Sequence, residues 1–539
     1  MKGLMMDFPL TLPALINRAG KIFADVEVVS RQPDRRVARS TWGDVYRRSR
    51  RLANALTGLG LRRGDRVATL LWNQTEHIEA YFGVPIAGGV LHTLNLRLHP
   101  DEISFIANHA GDRFLIVDDI LLPVYEKFRR LVNFERVIVV PYGRGDTPAG
   151  CDAYEDLLAR ASEDFTYPQI AEDDAAAMCY TSGTTGRSKG VVYSHRAIVL
   201  HSMNCCGVDS FAMSIRDTVL PATSLFHANG WGIPFTAALA GAKVVLSGPF
   251  ADGEGLLDLI EREHVTMTTG VPTIWFSVLE ALDKFPGRWK IDWPLRMYLG
   301  GAATSEGLMR GFDRHGINVI CSWGMTETTP VATGSQLRPY MDEWDEHLKY
   351  AQRLKPGIPA SLLEARIVLP DGTEAPRDGA TIGDLEVRGP WVASSYYNMP
   401  EEAHKWSPDG WLRTGDMGHI DEHGFIKLVD RSKDMIKSGG EWISSQDLEN
   451  ALMGHPAVKE AAVIGVPHSK WQERPLAVVV LNEGASAEPE ELREFLAGKF
   501  AKWQLPDGFV FAKEIPRTSV GKFRKMALRE QFVDWKWEG

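Results

Sequence analysis

The segment Thr181-Ser182-Gly183-Thr184-Thr185-Gly186-Arg187-Ser188-Lys189-Gly190 constrains this chain more than any other, because it directly follows the apolar run Ala175-Ala176-Ala177-Met178-Cys179-Tyr180. Glycines let backbone N–H groups turn toward an anion, hydroxyls donate further hydrogen bonds, and a lysine adds a mobile positive charge. A strand that runs into such a loop reads as a phosphate cradle. A flexible Ser/Gly surface loop is the plainer alternative, and the ordered mix of Gly, Thr and Lys argues against it.

Three neighbouring patterns are excluded. The spacing from Gly183 to Lys189 is wrong for a Walker loop, which needs Ser or Thr straight after its lysine. Gly186-Arg187-Ser188-Lys189-Gly190 fits the letters of a nucleophile elbow, but that serine must sit on a sharp turn at the strand end, and loop residues 181–186 intervene. Gly143-Arg144-Gly145 is followed by Pro148 at the third glycine position of a dinucleotide fingerprint, so a Rossmann dehydrogenase is unsupported.

At 539 residues the chain is expected to form two or more domains. A net charge of −10 argues against a nucleic-acid binder, so any anion site must be local. Cys151, Cys179, Cys205, Cys206 and Cys321 show no metal spacing and, being odd in number, no disulfide framework; a reducing cytoplasm fits. Asp7, Pro9 and Pro13 interrupt the N-terminal segment, so a signal peptide is not expected, and no apolar run approaches the ~20 residues of a membrane span.

Up to about residue 330, short apolar strands such as Phe114-Leu115-Ile116-Val117, Arg136 to Val140, Lys243 to Leu246 and Arg296 to Leu299 alternate with helical patterns, the signature of helix-wrapped parallel sheets. After residue 355, turn dipeptides break up shorter strands, and an antiparallel barrel-like part is expected. Composition shifts again after Asp430, where Arg431-Ser432-Lys433-Asp434 leads into Met435-Ile436-Lys437-Ser438-Gly439-Gly440. The expected class is therefore α/β: a large N-terminal domain over 1–430, including the barrel-like part, and a small mobile α+β C-terminal domain over 431–539. No internal repeat is visible.

Ser322-Trp323-Gly324-Met325-Thr326-Glu327-Thr328-Thr329-Pro330 follows the apolar run Ile317 to Ile320, and a glutamate at such a junction is a fair magnesium ligand once phosphate oxygens fill other positions. Trp411-Leu412-Arg413-Thr414-Gly415-Asp416 and Pro516-Arg517-Thr518-Ser519-Val520-Gly521-Lys522-Phe523-Arg524-Lys525 come next, in that order. Together the four segments resemble the adenylate-forming superfamily of acyl-CoA synthetases, luciferases and nonribosomal adenylation domains. Val191 to Arg196 and Ile436 to Ser445 sharpen the likeness to bacterial medium- and long-chain fatty-acid CoA ligases, a branch that includes 3-methylmercaptopropionate CoA ligases.

That resemblance implies a two-step ligation in which a carboxylate attacks the α-phosphate of ATP to give acyl-AMP and pyrophosphate, and coenzyme A then displaces AMP. It implies Lys522 as the catalytic cation, against the plainer reading of a surface lysine beside Arg524 and Lys525. Thr184 and Glu327 fall to Mg²⁺ and the phosphates, with Glu327 also catalytic. Thr181, Ser182, Gly183, Thr185, Gly186 and Lys189 fall to the phosphates, and Arg431 and Lys433 to ribose and phosphate. Asp416 suits both ribose hydroxyls, since a carboxylate only accepts. Gly301, Ala302, Ser322, Trp323 and Thr326 form the adenine side, with Trp323 as a stacking face.

On the acyl side the resemblance points to His227, Trp231, Gly232 and Gly300, with Trp231 as a gate or, alternatively, core packing. No base is required of His227, because the attacking carboxylate is already ionised. Lys437, Gly439, Gly440 and Trp442 are implied for coenzyme A, reached when the C-terminal domain turns about Asp430. The resemblance also implies a homodimer. The substrate expectation is a short or medium acid such as 3-(methylthio)propanoate; the alternatives are a longer fatty acid, a carrier-protein acceptor, a luciferase-like oxidase and a silent binding protein.

Overall fold

The computed structural model describes residues 1 and 3–181, 187–438, 441–468, 470–518 and 522–537. Among these, two seven-stranded sheets form the bulk of the N-terminal part. In one, Asp152–Ala153, Arg136–Val140, Asp112–Asp118, Arg66–Leu70, Val90–Thr93 and Ala175–Tyr180 run parallel, and Gly190–Ser194 closes the edge antiparallel. In the other, the parallel order is Ile317–Cys321, Leu295–Leu299, Met267–Gly270, Thr218–Pro221, Lys243–Leu246 and Glu27–Arg31, with Val37–Thr41 antiparallel at the end. Strands of this kind read as unbroken apolar runs because both faces are covered; Leu115, Ile116, Val117, Val244, Val245 and Leu246 are all buried.

The cradle strand therefore feeds a hairpin. Thr181 N donates to Lys189 O at 2.9 Å, and Lys189 N to Thr181 Oγ1 at 3.2 Å, so both ends of the loop are pinned before the chain returns as Gly190–Ser194. A nucleophile elbow leads into a helix instead, which removes that reading of Ser188 on structural grounds.

After residue 355, Glu364–Val368, Gly383–Arg388, Leu412–Ile420 and Ile426–Arg431 pair antiparallel in sequence order. This four-stranded antiparallel sheet occupies the stretch expected to be barrel-like, and an antiparallel bridge from Gly357 to Ile426 continues it at one edge. The C-terminal part has its own sheet, Glu441–Ile443, Ile436–Ser438, Gln472–Leu481 and Val458–His468, with Gly508–Phe511 added parallel to Gln472–Leu481. Helices Ser445–Leu452 and Pro489–Ala497 cover one face through Leu448, Leu452, Leu492 and Leu496.

The charged stretch 341–354 acquires a place. Helix Glu346–Arg353 packs on helix Glu306–Arg314, with Arg353 paired to Asp313 at 2.7 Å, Tyr350 Oη donating to Asp313 at 2.5 Å and the Arg310 guanidinium 3.7 Å above the Tyr350 ring. The five cysteines are free thiols.

Candidate active site

Strand ends from both large sheets, the open sheet and the C-terminal part converge on one cavity of about 770 Å³. Arg187, Lys189, Lys405, Arg431, Lys433 and Lys522 line it, so an acidic chain concentrates positive charge at one place. The volume lies within the range of about 300–1,000 Å³ usual for small-molecule sites.

Four sequence segments far apart in the chain meet there. Gly300, Gly301 and Ala302 follow strand Leu295–Leu299; Ser322, Trp323, Thr326 and Glu327 follow strand Ile317–Cys321. Asp416, on strand Leu412–Ile420, is opposite Arg431 in the antiparallel register, and Arg431 Nε meets Asp416 Oδ1 at 2.8 Å. The Asp416 charge is the leading reason the Arg431 guanidinium holds its proton more tightly than usual. Trp323 Nε1 donates to the other oxygen, Oδ2, at 2.9 Å. The indole thus holds the Asp416 carboxylate from the side opposite Arg431 Nε.

Glu327 is 4% exposed and lies in a short turn, Thr326–Thr328. Its carbonyl accepts from Ala393 N at 2.8 Å, the Thr326 carbonyl accepts from Tyr193 Oη at 2.8 Å, and the Tyr396 hydroxyl donates to Glu327 Oε1. A single carboxylate on the wall of the cleft fits the donor set of Mg²⁺, which usually takes one or two carboxylates and completes its shell with phosphate and water. Among the described residues no cluster of three His, Cys, Asp or Glu side chains forms an all-protein metal cage.

Lys522 enters the cleft from the C-terminal part, held in a small loop by Lys522 N to Thr518 Oγ1 at 3.1 Å and Thr518 N to Lys522 O at 2.7 Å. Burial, then the Arg431 charge, lowers its pKa to about 8, against the pull of Asp416 and Glu327. His227 is half-buried on the cleft wall and, by desolvation and then the Lys522 charge, its pKa is lowered to about 4. Lys189 pairs with Glu402 at 2.6 Å and sits 5.1 Å from the Tyr396 ring centre. Tyr396 and Glu402 had no sequence signal, since their contacts span long stretches of chain without any fixed spacing.

The acyl side rests on an unusual turn. Ala228, Asn229, Gly230, Trp231 and Gly232 all have positive φ, at 44°, 53°, 57°, 59° and 72°. Such a run costs roughly 1–2 kcal/mol for each non-glycine residue, so neighbours must hold it. Cys179 Sγ donates to Asn229 Oδ1 at 3.2 Å, and Thr236 Oγ1 donates to the Gly232 carbonyl at 2.9 Å. The Trp231 indole lies against Gly300, where an added Cβ would come within 3.1 Å of it. Gly232 itself faces away from the cleft: its added Cβ would strike the His201 ring at 2.7 Å, so only glycine fits there.

Of the remaining sequence-derived positions, Asp430 and Lys433 line the cleft. Lys437 and Trp442 do not; they pair on an outer strand, with the ammonium 5.4 Å from an indole that is 46% exposed. Ser182, Gly183, Thr184, Thr185, Gly186, Gly439 and Gly440 lie outside the described residues.

Comparison with known proteins agrees with this geometry. A family described as AMP-binding enzyme matches residues 20–397, and its C-terminal domain matches residues 447–522. The chain is 47% identical to a long-chain-fatty-acid–CoA ligase of Thermus thermophilus, covering 98% of this chain and 97% of that one. It is 42% identical to a 3-methylmercaptopropionyl-CoA ligase of Ruegeria pomeroyi, covering 99% of each. The crystal structure of ATP-bound MatB from Rhodopseudomonas palustris is similar at a TM-score of 0.83 and 29% identity, over 98% of this chain and 99% of that one. With the cleft, the fold and full-length similarity in accord, the chain belongs to the AMP-binding enzyme family, among its acyl-CoA ligases.

Proposed function

We propose that the cleft joins a carboxylic acid to AMP and then passes the acyl group to coenzyme A, with Lys522 as the central cation. The observation that carries this reading is the convergence of Lys522, Arg431 and Glu327 on one cavity, with Asp416 paired to Arg431 at its wall and close enough for its charge to act on Lys522. Joining two anions requires cations and N–H donors to neutralise charge that builds on the α-phosphate. Lys522, charged below about pH 8, supplies this between the carboxylate and the phosphate. Asp416, fixed by Trp323 and Arg431, accepts the ribose hydroxyls. Thr181, Lys189 and the loop between them take the pyrophosphate side, and Lys433 assists. Glu327 and Thr184 hold Mg²⁺, which when bound neutralises phosphate charge.

Coenzyme A reaches the acyl carbon after residues 431–539 turn about Asp430 and bring Lys437, Gly439, Gly440 and Trp442 to the cleft; their outward placement supports a rotation. In that step the thiol loses its proton, its sulfur bonds to the acyl carbon, and AMP leaves with the C–O bonding pair. A homodimer is the expected assembly, supported by exposed Leu4, Met5, Met6 and Phe8.

For the acid, the Trp231 indole closed over Gly300 favours a short or medium chain such as 3-(methylthio)propanoate, since sulfur packs well on aromatic edges. The left-handed turn that carries the indole favours a second reading, in which it opens for longer fatty acids. The test is AMP and pyrophosphate release with 3-(methylthio)propanoate, butyrate, octanoate and palmitate, with and without coenzyme A. Preference for the short acids and dependence of AMP release on coenzyme A support the first reading. Preference for palmitate supports the second, and pyrophosphate turnover indifferent to coenzyme A refutes both. Lys522→Ala should retain nucleotide binding and lose acyl-AMP formation.

A further inference from the structure

The Asp430 carboxylate is buried and engaged on both oxygens. Oδ1 accepts from Arg431 N at 2.8 Å; Oδ2 accepts from Ser445 N at 2.8 Å and also from the Ser445 hydroxyl. Ser445 opens helix Ser445–Leu452, and the N-cap Ser444 donates its hydroxyl to Val429 O at 2.5 Å. The helix start is thus fastened to the last residues of strand Ile426–Arg431.

The same hydroxyl has a second partner. Lys525 Nζ donates to Ser445 Oγ at 2.6 Å and pairs with Glu449 Oε1 at 2.7 Å, and Glu449 Oε1 also accepts from Val463 N at 2.7 Å. Both charged side chains are about nine-tenths buried, at 11% and 8% exposure. A hydroxyl has one proton to give, so Ser445 donates to Asp430 while accepting from Lys525. The sequence Lys525 to Ser445 to Asp430 is a directed chain of bonds. It starts at the helix Lys525–Gln531, next to the loop that presents Lys522, and ends at the carboxylate about which the C-terminal part turns.

A buried ion pair is often replaceable by apolar packing, and what this pair adds beyond stability is its link, through the Ser445 hydroxyl, to Asp430. Lys525, Glu449 and Ser445 all follow Asp430 in the chain and move as one group. From the start of this helix, the bonds to strand Ile426–Arg431 among the described residues are Ser445 to Asp430, Ser444 to Val429, and the looser pair of Asp447 with Lys427 at 3.8 Å.

We infer that Ser445 is a positioning residue that registers Lys522 to Asp430 in the adenylating arrangement, and that its bond to Asp430 is released when the C-terminal part turns toward coenzyme A. The inference rests on the roles proposed above for Lys522 and Asp430. Loss of the hydroxyl therefore acts on one half-reaction.

The experiment uses the full-length protein with Ser445→Ala, Ser445→Thr, Lys525→Met and Lys522→Ala. Acyl-AMP formation is followed by ATP–pyrophosphate exchange, and thioester formation by supplying preformed acyl-AMP with coenzyme A. Ser445→Ala and Lys525→Met should each slow adenylation about tenfold, the order expected for one hydrogen bond to a charged group, and leave thioester formation unchanged. The double variant should be no worse than either single, because both break one chain of bonds. Ser445→Thr, which keeps the hydroxyl, should restore the wild-type ratio of the two rates and covers the case in which the alanine variant does not fold. Equal losses in both half-reactions, or an unchanged ratio, overturn the inference. If Lys522→Ala abolishes adenylation while Ser445→Ala leaves the ratio untouched, the positioning role fails and the catalytic reading stands; if Lys522→Ala still forms acyl-AMP, both fall.

Discussion

Trp323 and Arg431 hold Asp416 from both oxygens: the indole N–H reaches Oδ2 at 2.9 Å and Arg431 Nε meets Oδ1 at 2.8 Å. Replacing the indole by Phe keeps an aromatic face and removes the donor. Trp323→Phe should raise the KM for ATP about tenfold, the value of roughly one hydrogen bond to a charged group, with a smaller change in kcat. Steady-state kinetics at saturating acid and coenzyme A check this; an unchanged KM would mean that Asp416 is oriented by Arg431 alone.

The lowered pKa of Lys522 predicts a pH profile. The side chain must be protonated to neutralise the forming phosphate charge, and its pKa in the free protein is about 8. Below that value the cation is present, and as pH rises through it the cation is lost. The kcat/KM for acyl-AMP formation, which reports groups in the free enzyme, should therefore fall on the alkaline side with a midpoint near pH 8. A profile flat to about pH 9.5 contradicts the assignment, since an unperturbed lysine titrates near 10.4.

Buried histidines set the opposite edge. His77 and His201 have pKa values lowered by burial to about 4 and about 3. Each is depressed below the unfolded value of about 6.5, so the unfolded chain binds the proton first. Stability is full above about pH 6.5 and is lost as pH falls toward 4. The unfolding midpoint temperature should drop over that window, and His201→Gln should lessen the drop even if it lowers the plateau.

How much was legible in the sequence differs by kind of contact. Glu327 and Lys522, which the structure brings to one cavity, and Asp416, paired to Arg431 beside it, each sit in a short motif whose spacing survives in one dimension. Strands such as Arg136–Val140 were visible because burial on both faces leaves unbroken apolar runs. Tyr396 on Glu327, Glu402 on Lys189 and Lys525 on Ser445 were invisible, because pairing across layers follows from sheet order and not from local pattern. The need for glycine at 232 was invisible for the same reason: an added Cβ there would strike the His201 ring, a contact no local pattern announces.

The acyl pocket yields a directional test. A Cβ at Gly300 would meet Ser322 at 3.0 Å and the Trp231 indole at 3.1 Å, so the wall has no spare room. Gly300→Ala should push selectivity toward shorter acids, and Trp231→Ala should raise kcat/KM for palmitate relative to butyrate by at least about tenfold, since each methylene accommodated is worth roughly 1–3 kcal/mol. An unchanged ratio in Trp231→Ala would place the end of the pocket elsewhere.

The Tyr396 hydroxyl on Glu327 gives the last prediction, and it separates metal handling from nucleotide handling. Glu327 is buried in a three-residue turn fixed by Ala393 N and Tyr193 Oη, and Tyr396 donates to Oε1, which restricts the carboxylate's rotation. Partners that orient a metal-binding carboxylate typically contribute about 10- to 100-fold to metal affinity. Tyr396→Phe removes only the hydroxyl and leaves the ring, which also packs edge-on to Trp406 at 5.2 Å. Titrating Mg²⁺ at saturating ATP should show the half-saturating concentration rising at least about tenfold. ATP affinity measured without divalent ion should stay the same, because Trp323 and Asp416, proposed for the purine and ribose, are untouched. If both quantities shift together, Tyr396 shapes the whole cleft; if neither shifts, Glu327 is oriented by its backbone alone and the hydroxyl is incidental.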